Sequence, residues 1–191
     1  MRSARSALVA AFAALLTVGV LTACGSSDHH AAPSTSDQST EQSHNANDFA
    51  FAHSMVPHHE QAIEMAQMVP TNTKNQKMVL IANRIIATEA PEIQALRVWL
   101  MQWPDTQGNN PFSQSAPGTV DPATMNRLHS LSDDAFDHLW LTTMIAHHKG
   151  AIAMAQDEVA HGKNADVIYL AKTIITEQQA DIDAMNHMLG G

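Results

Sequence analysis

The sequence predicts an all-α protein: a four-helix bundle made from two copies of one helical hairpin, with a short extra helix before the third long helix. Three observations lead there. From Asp48 onward, apolar residues recur at three- and four-residue spacing in segments rich in Gln, Ala, Met, Leu and Ile. No run of alternating β-branched residues marks a strand. Finally, the two halves match at a constant offset of 89 residues. Met55, His58, His59, Ala62, Ile63, Met65, Ala66 and Gln67 stand against Met144, His147, His148, Ala151, Ile152, Met154, Ala155 and Gln156. The register runs on without a gap through Ala82 and Ala171, Ile85-Ile86 and Ile174-Ile175, Ile93 and Ile182, and Leu100 and Leu189. The repeats therefore cover about 48–103 and 134–191 of a bundle domain at 48–191. Positions kept in both copies are expected to be core or site; positions that changed are expected to be neither.

The elements follow in order. Arg2 and Arg5 precede Ala7–Ala23, a nearly unbroken apolar run that ends in Leu21-Thr22-Ala23-Cys24. This pattern reads as a signal peptide over residues 1–23. The residues before Cys24 resemble a bacterial lipobox, which implies that Cys24 becomes the first mature residue and carries a diacylglyceryl group on its sulfur. Two acyl chains (palmitate-type) on one residue hold a protein stably on a membrane, where one chain does not. The expected location is thus the extracytoplasmic side of the cell membrane. Loss of Arg2 and Arg5 with the leader takes the formal charge from −9 to −11. Gly25–Asn47 has almost no large apolar residue, so residues 24–47 are expected to be the lipidated Cys24 and a disordered tether. His29, His30 and His44 are expected to be solvated within it.

Asp48–Val69 reads as the first helix, ended by Pro70. Thr71-Asn72-Thr73 supplies cap candidates for a second helix, Lys74–Trp103, which Pro91 should kink or split near Thr88 and Pro104 should close. Asp105–Val120, rich in Gly, Asn, Ser and Pro, is a loop. Asp121-Pro122 opens the short helix, with proline in its favoured first turn. Ser132 is expected to cap the next helix, Asp133–His161, and Gly162 to stop it. The last helix runs from about Asn164 to Leu189. No second apolar run reaches spanning length, so the mature part should be soluble apart from its lipid.

The composition narrows the chemistry. With 10 Lys and Arg against 19 Asp and Glu, the chain lacks the basic footprint of a nucleic-acid binder. A single Cys excludes an intramolecular disulfide and a Cys-rich zinc site. Twelve His and 11 Met against one Tyr is an unusual supply of soft and borderline metal donors. Advancing about 100° per residue puts Met55, His58, His59, Ala62 and Ala66 on one helix face, with Met65 at its edge. Met144, His147, His148, Ala151, Ala155 and Met154 repeat the arrangement. Two imidazoles and a thioether within one turn are part of a ligand set, and the alanines let a neighbouring helix approach. A thioether favours Cu(I), whereas imidazole also accepts Cu(II) or zinc. One turn does not close a coordination sphere; further ligands would come from the other copy, water or another chain. Met65 and Met154 also suit plain core packing, and Met185 and Met188 replace Leu96 and Trp99 in the manner of packing residues. His53, His129, His138, His161 and His187 have no His at the matching position and are expected at the surface or at caps. A di-iron bundle needs inward Glu-x-x-His pairs repeated on two helices; Glu60, Glu64, Glu89, Glu92 and Glu177 have no His three residues on, and Glu60 and Glu64 become Lys149 and Ala153 in the repeat, so such a site is not expected. No nucleophile elbow, phosphate loop or HExxH pattern occurs, so no enzymatic activity is expected.

The segments Met55–Gln67 and Met144–Gln156 resemble the signature of the bacterial family known as domain of unknown function 305, of the form M-I-x-H-H-x-x-A-I-x-M-A. Phe136-Asp137-His138-Leu139-Trp140-Leu141 and the Ile182–Leu189 ending are similar to it as well. The resemblance covers about residues 48–191. It implies a ferritin-like architecture, export, and an association with copper in some members. The matching positions make Met55, His58, His59, Met65, Met144, His147, His148 and Met154 the implied metal ligands. This chain departs from the pattern at Pro57, and it has Glu89 where Gln178 stands in the second half. The reading that results is an extracytoplasmic lipoprotein that binds copper, as Cu(I) rather than zinc, for buffering or delivery. Its expected partners are the ion, the membrane through Cys24, and a homo-oligomer or a copper-handling protein. The alternative is a non-catalytic helical interaction module whose His and Met residues fill a core or a dimer interface.

Overall fold

The structure is a computed structural model that describes residues 43–103 and 116–190. Five α-helices occur in the order α1 Ala46–Asn72, α2 Gln76–Gln102, α3 Pro122–Ser130, α4 Asp133–His161 and α5 Ala165–Gly190. The described residues contain no strand. Helices α1 and α2 form one hairpin and α4 and α5 the other, joined along a seam between α1 and α4, while α2 and α5 touch lightly. The seam is antiparallel. Asn47 near the start of α1 donates to Glu158 near the end of α4, and the Trp140 indole near the start of α4 donates to the Met65 carbonyl at 2.8 Å. Two apolar clusters flank its midpoint. One gathers Ala62, Met65, Trp140 and Met144; the other gathers Phe51, Met55, Ala151 and Met154. The bundle and the duplicated hairpin are as the sequence predicts. Cys24 and residues 1–23, expected as a signal peptide, lie outside the described residues, as does most of the expected loop at 105–120.

Several boundaries differ, each for a local reason. Helix α1 begins at Ala46, inside the expected tether, because Asn45 and Asp48 form a reciprocal capping box. His44 is correspondingly packed, its ring stacked on Trp103 with centroids 4.4 Å apart. Pro70 does not end α1; the helix runs on to Asn72, which donates its side-chain amide to the carbonyls of Leu128 and Leu131. Those tertiary bonds hold the last turn despite the missing backbone donor. Pro91 does not split α2, where the proline is exposed and Glu92 and Ile93 beside it are buried. The α2 cap is Asn75, and Thr73 instead closes α1. Ser132 stands at the N-cap of α4 without a side-chain bond, next to Asp133 at φ 51. Gly162 ends α4 in extended backbone, with φ −63. Glycine is needed there for space, since a Cβ would lie 2.6 Å from the Glu158 carbonyl oxygen.

The hairpins also cap one another. Asp48 of α1 accepts from the backbone N–H of Lys163 and Asn164, and Asn164 in turn caps α5. The repeat-related contact joins Asp137 of α4 to the side chain of Asn75, the cap of α2, at 2.9 Å. The duplication thus reaches the joints as well as the core.

Candidate metal centre

All eight residues expected as ligands are buried at 2 % exposure or less. His58 and His59 come from the middle of α1 and His147 and His148 from the middle of α4, so the antiparallel seam brings the four rings together. The rings of His58 and His147 face each other with centroids 3.7 Å apart, and His148 lies 6.3 Å from His147. The thioethers separate. Met65 and Met144 join one apolar cluster and Met55 and Met154 the other, one pair on either side of the rings. His53, His129, His138, His161 and His187 are exposed, as expected.

Hydrogen bonds fix two of the rings. His58 donates from Nε2 to the Pro117 carbonyl at 2.9 Å, which leaves Nδ1 with the lone pair and no partner in the protein. His59 donates from Nε2 to Glu92 at 2.9 Å, and its Nδ1 lies 3.7 Å from Glu89 Oε2. His147 and His148 have no hydrogen-bond partner on either nitrogen; His148 Nε2 stands 3.5 Å from Asp181, too far for a good bond. Leaving a buried donor or acceptor unpaired costs about 1–3 kcal/mol. Such groups call for a water or an ion.

The charges follow the same geometry. Burial, helped by neighbouring His59, pushes His58 down to about 4. Burial, with His59 and His58 near, pushes His148 down to about 3 and takes His147 well below the ordinary imidazole value. These rings are therefore neutral at pH 7, the form in which imidazole binds a metal. Burial opposes charge on His59 too, but Glu89 and Glu92 outweigh it and hold that ring above its ordinary value. Burial lifts Glu89 to about 7 against the pull of His59.

Sequence reasoning missed the polar layer beneath the rings. Glu89 and Glu92 of α2 and Gln178 and Asp181 of α5 are all buried. Gln178 donates to Glu89 at 2.8 Å, and Arg84 pairs with Asp181. The expectation that positions differing between the copies lie outside core and site fails here, since Glu89 matches Gln178 and Glu92 matches Asp181. A signal was present: Ile85, Glu89, Glu92 and Leu96 follow the helical spacing of one buried stripe. A carboxylate there must have a buried partner. The second unseen feature is a cover over the rings. Gln61 holds Val120 by both backbone groups, at 2.9 and 2.8 Å. Gly150 lets the chain at Pro117 lie against α4, where a Cβ would meet the Pro117 oxygen at 1.9 Å.

Among the described residues, no three His, Cys, Asp or Glu side chains are gathered to hold an ion by themselves. The donors that converge are neutral imidazoles, two of them unsatisfied, between two pairs of thioethers. Buried imidazole and thioether donors in a helical bundle are the donor types of a metal-binding protein.

The chain belongs to the family Domain of unknown function (DUF305), whose profile matches residues 48–189. A DUF305 protein of Streptomyces coelicolor, assigned as secreted, is similar at 28% identity with a TM-score of 0.70, over 75% of this chain and 92% of that one. CopM in its Cu(I)-bound form is similar at 27% identity and a TM-score of 0.61, over 74% of this chain and 94% of that one. CopM structures with Cu(II) and with Ag align comparably. A DUF305 fragment from Deinococcus radiodurans shares the fold at 24% identity with a TM-score of 0.68, over 76% of this chain and 97% of that one. No protein of curated function matches the chain. No described helix is long and apolar enough to cross a membrane.

Proposed function

We propose that this protein binds copper, as Cu(I), in the seam between its hairpins, and that it buffers or delivers the ion outside the cytoplasm rather than turning over a substrate. The observation that carries the reading is the pair His147 and His148, fully buried with no ring nitrogen in a hydrogen bond, His148 Nε2 standing 3.5 Å from Asp181. His58 Nδ1 adds a third free lone pair. Met55, Met65, Met144 and Met154 supply thioethers on both sides, which favours Cu(I) over zinc. The copper-bound forms of CopM, similar to this chain at 27% identity, support the choice of ion. The acidic balance of the chain raises the local cation concentration. In the same reading Cys24 carries lipid and anchors the protein on the extracytoplasmic side of the membrane. A second reading, a helical module that uses these residues for packing, draws on the thioethers' place within the apolar clusters.

Competition for Cu(I) against a chromophoric chelator separates the two. The full chain is expected to take Cu(I) stoichiometrically, and His147→Ala/His148→Ala to weaken it by about tenfold or more. Unchanged affinity in that variant would leave only the packing reading. Mass spectrometry of protein from its own envelope tests the lipid: the expected mass is that of a chain starting at a diacylated Cys24.

A further inference from the structure

The repeat supplies a control for each position of the two hairpins, and one place departs from it toward metal-binding chemistry. A surface cleft of about 590 Å³ opens where the first turns of α4 meet the last turn of α5. Its lining includes Asp134, Asp137, His138, His187 and Met188. The matching positions of the first half hold Asn45, Asp48, Phe49, Val98 and Trp99. Four of these five positions therefore change, each to a carboxylate, an imidazole or a thioether. The matching end of the first half holds stacked rings instead. Trp99 stacks on Trp103, and Trp103 on His44, across that end of the bundle.

The one acid common to both ends is used differently. Asp48 engages both oxygens with backbone N–H groups of Asn45, Lys163 and Asn164. Asp137 is only 9 % exposed and binds Asn75 through Oδ2, while Oδ1 is buried with no partner. An unpartnered carboxylate oxygen buried at the edge of a cleft that two imidazoles also line is a cation ligand in waiting.

We propose that this cleft is a second cation site, separate from the seam, that takes a borderline divalent transition-metal ion through Asp137 and the imidazoles of His138 and His187. Nitrogen and carboxylate donors suit Cu(II) or Zn(II), in contrast to the softer set in the seam. Asp134 lies one turn before His138 on α4 and can join as a further oxygen donor. As they stand, these donors are not drawn to one point. His138 and His187 are exposed, so their rings turn inward about two side-chain bonds without disturbing the core. Lys77 also lines the cleft; it is exposed, and its long stem lets the ammonium reach solvent when a cation enters.

The test is a titration of the full chain with Cu(II) salt, followed by electron paramagnetic resonance. The wild type is expected to give a signal with nitrogen and oxygen donors. His138→Ala/His187→Ala should lose about one equivalent of Cu(II), and Asp137→Asn should weaken the same equivalent by about tenfold or more. Both should keep their Cu(I) affinity. His147→Ala/His148→Ala should keep the Cu(II) signal, so failure of the seam reading and failure of this one are distinguishable. His129→Ala, an exposed control, should change nothing. An unchanged number of Cu(II) equivalents and an unchanged signal in His138→Ala/His187→Ala would overturn the proposal, as would a wild type that takes up no Cu(II).

Discussion

A buried imidazole with no hydrogen bond is a thermodynamic liability in the metal-free chain, and His147 and His148 in the seam are two. Replacing His147 and His148 by Leu removes their unpaired ring nitrogens and keeps an apolar volume. The metal-free variant is expected to gain about 1–3 kcal/mol of stability while Cu(I) binding falls. Urea unfolding checks the first half; a loss of similar size would mean that these rings are satisfied core residues. Protons act on the same groups. His58 and His148 stay neutral until about pH 4 and 3, so below 6.5 the unfolded chain binds protons the native chain refuses, and stability falls as pH falls. Glu89 and Glu158 are lifted from 4.5 to about 7 and 8 by burial, and Glu158 also by Asp48. There the native chain keeps protons that the unfolded chain releases, so stability falls as pH rises above 4.5. The two slopes oppose each other between about 4.5 and 6.5, which places the stability maximum of the metal-free protein in that window. Thermal melts across pH should show both limbs, and Glu158→Gln should flatten the alkaline one. A maximum at alkaline pH would contradict the assignment. The ligand-type residues themselves were legible, because repetition marked them. Their carboxylate partners were not, because the repeat exchanges Glu for Gln and Glu for Asp at those positions.

Elements were legible where a cap or a period acts alone and illegible where tertiary bonds decide. Asp121-Pro122 opens α3 as read, since the Asp121 side chain accepts from Ala123 and Thr124 and needs nothing else. Pro70 was read as a stop because local rules cannot register the grip of Asn72 on Leu128 and Leu131. The cover at residues 116–120 is the furthest from sequence reading. It depends on Gln61 and Gly150, which are repeat-related positions with unlike residues. Gly150→Ala places a methyl group 1.9 Å from the Pro117 oxygen, so the cover must lift and the His58 bond to Pro117 must break. The expected cost is about 1–3 kcal/mol, measured by urea unfolding. Amide exchange should rise at Val120, whose N–H is held by Gln61. Unaltered protection at Val120 would show that the cover does not depend on the glycine.

For the molecule as a whole, duplication is both the plan and the reason the plan could be read. One hairpin sequence used twice puts like residues on both sides of the seam, so the clustering of four histidines follows from symmetry once the helices pack antiparallel. The symmetry is broken at the two ends, and the breakage divides labour. Asp48 ties the first hairpin to the second through backbone N–H groups of Lys163 and Asn164. Asp137 makes a single side-chain bond in return. Hydrogen bonds to a charged group contribute about 1.5–3 kcal/mol each, so Asp48→Ala should destabilise the bundle severely and Asp137→Ala by the smaller part of that range. If the cleft binds a divalent ion, the order inverts in a second measurement. Added Zn(II) should raise the melting temperature of Asp48→Ala, whose cleft is intact, and leave that of Asp137→Ala in place, because an ion stabilises only the chain that still holds its ligands. Equal zinc responses in the two variants would mean that the asymmetry between the ends is structural alone.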